Sequence, residues 1–166
     1  MEYDIEVREL QSRNIAAIRK ALRMEELPAF FQDTFSGLSS LMIEFGVPLA
    51  DPPLAVYHEV TEESVEVEAA VPFAEHPPGG TPRAYKGIAI IYRELEGGPA
   101  LYAMHKGPYE KLGGLYRAFE EWLGQHRRKP RGPTYEIYLT DPQVQPDPEE
   151  WLTEVYMPLE PEPESS

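Results

Sequence analysis

With 166 residues, 42% of them hydrophobic and 27% charged, the chain has the length and composition of one medium globular domain, or of two small halves sharing a core. Its 29 acidic against 15 basic side chains leave a net charge of −14, which repels a phosphate backbone and excludes direct nucleic-acid binding. The lack of cysteine excludes disulfides, thiolate metal sites and thiol nucleophiles, and no apolar run reaches the ~18 residues that membrane insertion requires.

Met1-Glu2-Tyr3-Asp4 lacks the basic and apolar regions of a signal peptide, so a cytoplasmic protein is expected. Ile5, Val7 and Leu10 mark a first strand, and Asn14 to Arg19 a second after a polar turn. Pro28 precedes a helical pattern in which Phe31, Phe35, Leu38, Leu41, Met42 and Phe45 recur at spacings of three and four, ended by Gly46 and Pro48. Leu54 to His58 reads as a strand. Ser64 to Val71 reads as another, with Val65, Val67 and Ala69 inward and Glu66 and Glu68 toward solvent. The Pro- and Gly-rich stretch from Pro72 to Arg83 has the composition of a linker.

The order of elements then recurs. Ile88 to Tyr92 is a strand, Glu96-Gly97-Gly98-Pro99 a turn, and Ala100 to His105 its expected hairpin partner. Gly107-Pro108 opens a helix whose apolar stripe is Leu112, Leu115, Tyr116, Phe119, Trp122 and Leu123. The basic run Arg127-Arg128-Lys129-Arg131 follows it and complements the helix dipole. Tyr135 to Leu139 and Trp151 to Met157 are the last strands. Pro52 to Tyr57 matches Pro133 to Tyr138, and Val67 to Pro72 matches Thr153 to Pro158. The expected fold is therefore α+β, a β-β-α-β-β unit occurring twice, with a ligand cleft at the junction of the halves. The halves span about 3–75 and 86–159 of a single domain, residues 1–159, and 160–166 form an acidic, disordered tail.

Glu136 is the most informative charged residue, because its strand is otherwise aromatic and aliphatic. Alternation puts Glu136 and Tyr138 on one face and Tyr135, Ile137 and Leu139 on the other. A carboxylate there either faces solvent or lies in a cleft, where it neutralises a ligand's positive charge or acts as a general acid/base. Glu154 and Tyr156 pose the same question. His105, between a strand and a helix start, reads as a proton shuttle or as a hydrogen-bonded turn histidine. Tyr116, Phe119 and Trp122 have core spacing, whereas Tyr57 and Tyr138 occupy matching places in the repeat and suit a pocket for an organic cation. No HxH or HExxH spacing, phosphate loop or GxSxG elbow is present, so no metal and no cofactor are expected.

The series His105-x-Gly107-Pro108-Tyr109-x-x-Leu112, Tyr116, Trp122, Gly132-Pro133-x-x-Glu136-x-Tyr138-x-x-Asp141-Pro142 and Trp151-x-Thr153-Glu154-Val155-Tyr156-x-Pro158 resembles the GyrI-like small-molecule-binding family. Pro52-Pro53-x-Ala55-x-Tyr57-His58 and Val65-x-Val67-Glu68-x-x-Val71-Pro72 extend the likeness to the first half, so that it runs from about residue 3 to 160. That family overlaps the effector-binding domains of AraC- and MerR-type multidrug regulators, and the resemblance implies a tandem SHS2-like fold. It implies that Glu136 meets cationic aromatic drugs at the pocket base, with Tyr57, Tyr109 and Tyr138 around it and Trp122 and Trp151 as further ligand-binding rings. No helix-turn-helix precedes the matched residues, so a stand-alone member is expected. The first reading is a binding protein for hydrophobic or cationic xenobiotics. The second is a hydrolase of reactive cyclopropane compounds, with Glu136 and Tyr138 catalytic, and the third is an inhibitor that takes a protein partner. A monomer and a dimer are both compatible with the sequence.

Overall fold

The computed structural model describes residues 3–77 and 79–162. Its elements in chain order are strands β1 (Glu6–Leu10) and β2 (Arg13–Arg23), helix α1 (Leu27–Glu44), β3 (Leu54–Val60), β4 (Ser64–Phe73), the two-residue strands β5 (Ala84–Tyr85) and β6 (Ile88–Ala89), β7 (Ile91–Leu95), β8 (Gly98–Lys106), helix α2 (Gly113–His126), β9 (Tyr135–Tyr138) and β10 (Leu152–Pro158). One-turn 3-10 helices cover Met24–Glu26, Tyr109–Lys111 and Pro148–Glu150. The protein is α+β, as its pattern of periods requires. It divides into two compact units, one continuous from Ser12 to Glu96, the other made of Met1–Gln11 and Gly97–Ser166.

In the continuous unit the strands run antiparallel in the order β7-β2-β4-β3. Leu38 and Met42 of α1 pack on Ala16, Ile18, Val71 and Phe73, which line one side of β2 and β4. The helix starts with Pro28 in its first turn, where a missing N–H breaks no bond. It stops at Gly46, whose φ of 77° lets Val47 N–H reach back to Met42 O and Gly46 N–H to Ile43 O. That pair of bonds is a Schellman closure, and glycine enters the left-handed region without a Cβ clash. Residues 74–77 and 79–83 lie inside this unit and lead to the small β5–β6 hairpin. The sequence pattern predicts a single strand over Ile88 to Tyr92, which the structure divides between β6 and β7. Tyr85 of the hairpin packs against the α1 core.

In the second unit the strands run antiparallel in the order β1-β8-β10-β9. Leu115 and Phe119 of α2 pack on Leu101, Ala103, Val155 and Met157. Pro108 does not begin α2; it caps the 3-10 turn Tyr109–Lys111, and the α-helix follows from Gly113.

Two sequence expectations are corrected. β8 is not the hairpin partner of β7: β8 pairs with β1 and β10, and β7 pairs with β2. The opening strands of the expected halves are thus exchanged, so each completes the other unit's strand order. Glu68 does not face solvent, because β4 is buried on both of its faces from Val67 onward. Of the acidic tail, Glu160 is held by its N–H to Lys129 O, while residues 163–166 lie outside the described residues.

One feature repeats at equal register. Arg93 lies opposite Ile15, which lies opposite Pro72, and Arg93 pairs with Glu68 four residues before that proline. Arg8 lies opposite Ala100, which lies opposite Pro158, and Arg8 pairs with Glu154 four residues before that proline.

Candidate functional site

All four residues of β9 are buried. Glu136 pairs across to Val155 of β10, a residue of the α2 core, so its side chain points to the helix side of the strands. Only 4% of it is exposed. Tyr138, two residues on and on the same face, donates its hydroxyl to Glu136 Oε1 at 2.8 Å. Tyr116, from the apolar stripe of α2, donates to Oε2. Each carboxylate oxygen therefore receives a phenol proton, which is how a buried carboxylate keeps its polar atoms satisfied.

The rings continue outward. Tyr109 meets Tyr138 edge-on at 5.4 Å between centroids and lies tilted against Trp151 at 4.9 Å. Trp151 is fixed by its indole N–H to Gln145 O at 2.7 Å. Its carbonyl takes the Gly107 N–H at 2.8 Å, so the turn that delivers Tyr109 is tied to the same tryptophan. Gly107 has φ 131°, a conformation open to glycine and closed to other residues. Burial, and then the charges of Glu136 and Asp141, push the Tyr109 hydroxyl up to about 12. Tyr109 thus stays a neutral phenol through the physiological range, beside two carboxylates.

His105 is buried next to this cluster. Its Nε2 bonds to Pro108 O at 3.0 Å, and since a carbonyl only accepts, Nε2 carries a proton. Nδ1 then takes the Tyr3 hydroxyl at 2.9 Å. Both ring nitrogens are engaged, which matches the turn-histidine alternative.

Glu136, Tyr138, Tyr109 and Trp151 are thus brought together by the second unit. Trp122 belongs to the same unit, but its ring stacks on His126 at 4.0 Å, one helical turn further along α2. Tyr57 belongs to the other unit, on β3 opposite Val67, and is half-buried. Tyr116 was read as a core residue and is the third member of the Glu136 cluster. Its helical spacing said that it faced inward, and its hydroxyl was the signal that it needed a polar partner there.

The continuous unit carries its own buried carboxylate. Glu68, 1% exposed, accepts from Arg93 through two bonds of 3.1 and 2.7 Å and from His58 Nε2 at 2.5 Å. Tyr57 pairs with Val67 and Glu59 with Glu66, so His58 is the extra residue of a β-bulge, a device that re-aims side chains. Burial pushes the Glu68 carboxyl up, but the Arg93 and His58 hydrogen bonds more than offset this and hold it below the usual range. Among the described residues no cluster of three or more His, Asp or Glu side chains could hold a metal ion, and no helix is long and apolar enough to cross a membrane.

Residues 3–160 match the model of the GyrI-like small molecule binding domain. The C-terminal domain of EcmrR superposes with a TM-score of 0.81 at 19% identity, over 96% of this chain and 99% of that one. In the EcmrR–DNA complex the match spans 57% of the EcmrR chain. SAV2435 bound to tetraphenylphosphonium gives a TM-score of 0.64 at 15% identity, over 96% of this chain and 94% of its own. A hydrolase from Listeria innocua gives 0.66 at 14% identity, over 94% and 91%. No curated protein matches the chain.

Proposed function

The chain belongs to the GyrI-like small-molecule-binding domain family, and on that premise we propose that it holds a hydrophobic organic cation against Tyr109, Tyr138 and Trp151, with Glu136 as the counter-charge. The observation that carries the reading is Glu136 itself, a buried carboxylate ringed by Tyr138 and Tyr116 hydroxyls with two further aromatic faces beyond. Aromatic faces attract a cation through the ring quadrupole, worth about 0.5–2 kcal/mol per ring depending on desolvation. Asp141, close enough to raise the Tyr109 hydroxyl, adds to the negative potential on the same side. A delocalised cation suits such a box, because its charge is spread and little hydration is lost on burial. That SAV2435, of the same fold, has been seen with tetraphenylphosphonium supports the choice of ligand class.

Titration calorimetry with tetraphenylphosphonium tests it. Glu136→Gln should weaken binding by about tenfold or more, the equivalent of about 1.4 kcal/mol. Tyr109→Ala should cost a comparable amount. Unchanged affinity in Glu136→Gln would refute the counter-charge role.

A second reading is favoured by the 2.8 Å bond from Tyr138 to Glu136 and by the Listeria innocua hydrolase of the same fold. A carboxylate and a phenol in contact form an acid–base couple. In hydrolytic opening of an activated cyclopropane, Glu136 would take a proton from water as its oxygen bonds to one ring carbon. The ring C–C bond would break, and Tyr138 would protonate the other carbon. Turnover of such a substrate that survives Glu136→Gln with Tyr138→Phe would eliminate this assignment.

A further inference from the structure

Thr153 lies in β10 opposite Tyr138 on β9 and opposite His105 on β8, so the three side chains form one row on the α2 side of the strands. Both flanking polar groups have identified roles: Tyr138 donates to Glu136, and His105 is bound between Tyr3 and Pro108. Thr153 differs. It is 0% exposed, and its Oγ1 is buried with no hydrogen-bond partner among the described residues. Trp151, two residues earlier, packs on Tyr109, whose ring also meets Tyr138. The unsatisfied hydroxyl therefore sits on the residue directly across from Tyr138 and two along from Trp151, both rings of the aromatic cluster.

Leaving a hydroxyl unpaired in an apolar interior is costly, and valine would fill the same volume with no polar atom at all. Both residues are β-branched and suit a strand equally well, so strand propensity does not account for the threonine. A site that must hydrogen-bond its ligand does account for it, since an unpaired polar group in a pocket discriminates against ligands that cannot pair with it.

We propose that Thr153 is a specificity-determining residue, whose hydroxyl is completed by an oxygen or nitrogen of the ligand. The ligand is then an aromatic cation that also carries a hydrogen-bonding heteroatom, set apart from its charged centre as Thr153 is set apart from Glu136. This rests on the reading of the Glu136 cluster as a cation site.

The test compares tetraphenylphosphonium with the meta- and para-hydroxyphenyl and methoxyphenyl triphenylphosphonium cations. In the wild-type protein at least one oxygen-bearing probe should bind five-fold or more tighter than tetraphenylphosphonium. Thr153→Val should bring that probe down to the parent's affinity while leaving the parent within twofold, and Thr153→Ser should keep the preference. Glu136→Gln should weaken all the probes together. A preference that survives Thr153→Val, or four oxygen-bearing probes that gain nothing, would overturn the role of Thr153 while leaving the cation site standing. Thr153→Ser folded to the wild-type melting temperature but without the preference would overturn it as well. If Glu136→Gln changes no probe's affinity, the underlying site falls, and Thr153 with it.

Discussion

Glu136 and Tyr109 show how one side chain sets another's chemistry. Tyr109 is raised to about 12 by burial first, then by Glu136 and Asp141. Removing the Glu136 charge should lower the Tyr109 hydroxyl while leaving it above the ordinary 10, because burial is unchanged. Absorbance at 295 nm, taken as the difference between Glu136→Gln and the same protein with Tyr109→Phe added, reads this shift; a rise would contradict it. The shared face of Glu136 and Tyr138 was legible from alternation, but that the face is buried and the two groups are bonded was not, since alternation alone is equally compatible with a solvent-facing carboxylate. Tyr116 was not legible, because helical spacing gives the direction of a ring but not the acceptor at its far end. Glu68 was not legible either. Its alternation with Val65 and Val67 has the form of a half-exposed strand, and only the second buried face of β4 distinguishes it.

Among the elements, α1 and the β5–β6 hairpin meet over a single glycine. A Cβ on Gly37 would fall 1.9 Å from the Tyr85 hydroxyl oxygen and 2.4 Å from its Cζ. Tyr85 also bonds to Asp33 O at 3.3 Å, and Lys86 pairs with the Asp33 carboxylate at 2.7 Å. In the wild-type chain, Gly37→Ala should therefore lose the ~1 kcal/mol that alanine normally gains inside a helix, by forcing Tyr85 off its seat. With Tyr85→Ala already in place, the same change should stabilise by about 1 kcal/mol. Urea denaturation of the four proteins measures the reversal, and equal effects in both backgrounds would disprove the contact. The element types and their order were readable because periods of two and near 3.6 survive in a single sequence. Pairing was not. The Gly97-Gly98-Pro99 turn carries a hairpin signal, yet β7 and β8 part company across it, since a turn's composition fixes a bend and not which edge a strand then finds.

For the whole molecule, the two Arg–Glu pairs at equal register give a controlled comparison. Arg93→Met takes both guanidinium bonds from Glu68, which is almost wholly buried and keeps His58, and should cost about 3 kcal/mol. Arg8→Met leaves Glu154 partly in water and removes a guanidinium lying 3.4 Å from the Tyr102 ring centre, so its cost should stay near 1 kcal/mol. Denaturant midpoints separate these outcomes, and equal costs would mean that burial does not govern the pairs. The Glu68 carboxyl is held below its ordinary 4.5, so the unfolded chain binds the proton more readily. Its contribution is present in full above that value and is lost as pH falls through the folded value. Stability should therefore decline on acidification below pH ~5, less steeply in Glu68→Gln; identical slopes would exclude Glu68 as a source.

The exchange of β1 and β7 also sets a timetable for synthesis. The unit from Ser12 to Glu96 is unbroken in sequence and is synthesised whole before β8 begins. β1 emerges earlier but cannot be seated until β8, its neighbour, follows from Gly98 onward. At ~5–20 residues per second this leaves the opening strand waiting roughly 5–20 s with an unpaired edge. That strand reads Glu-Val-Arg-Glu-Leu, and its three charged side chains are what keep a waiting edge from joining a neighbouring chain on the same polysome.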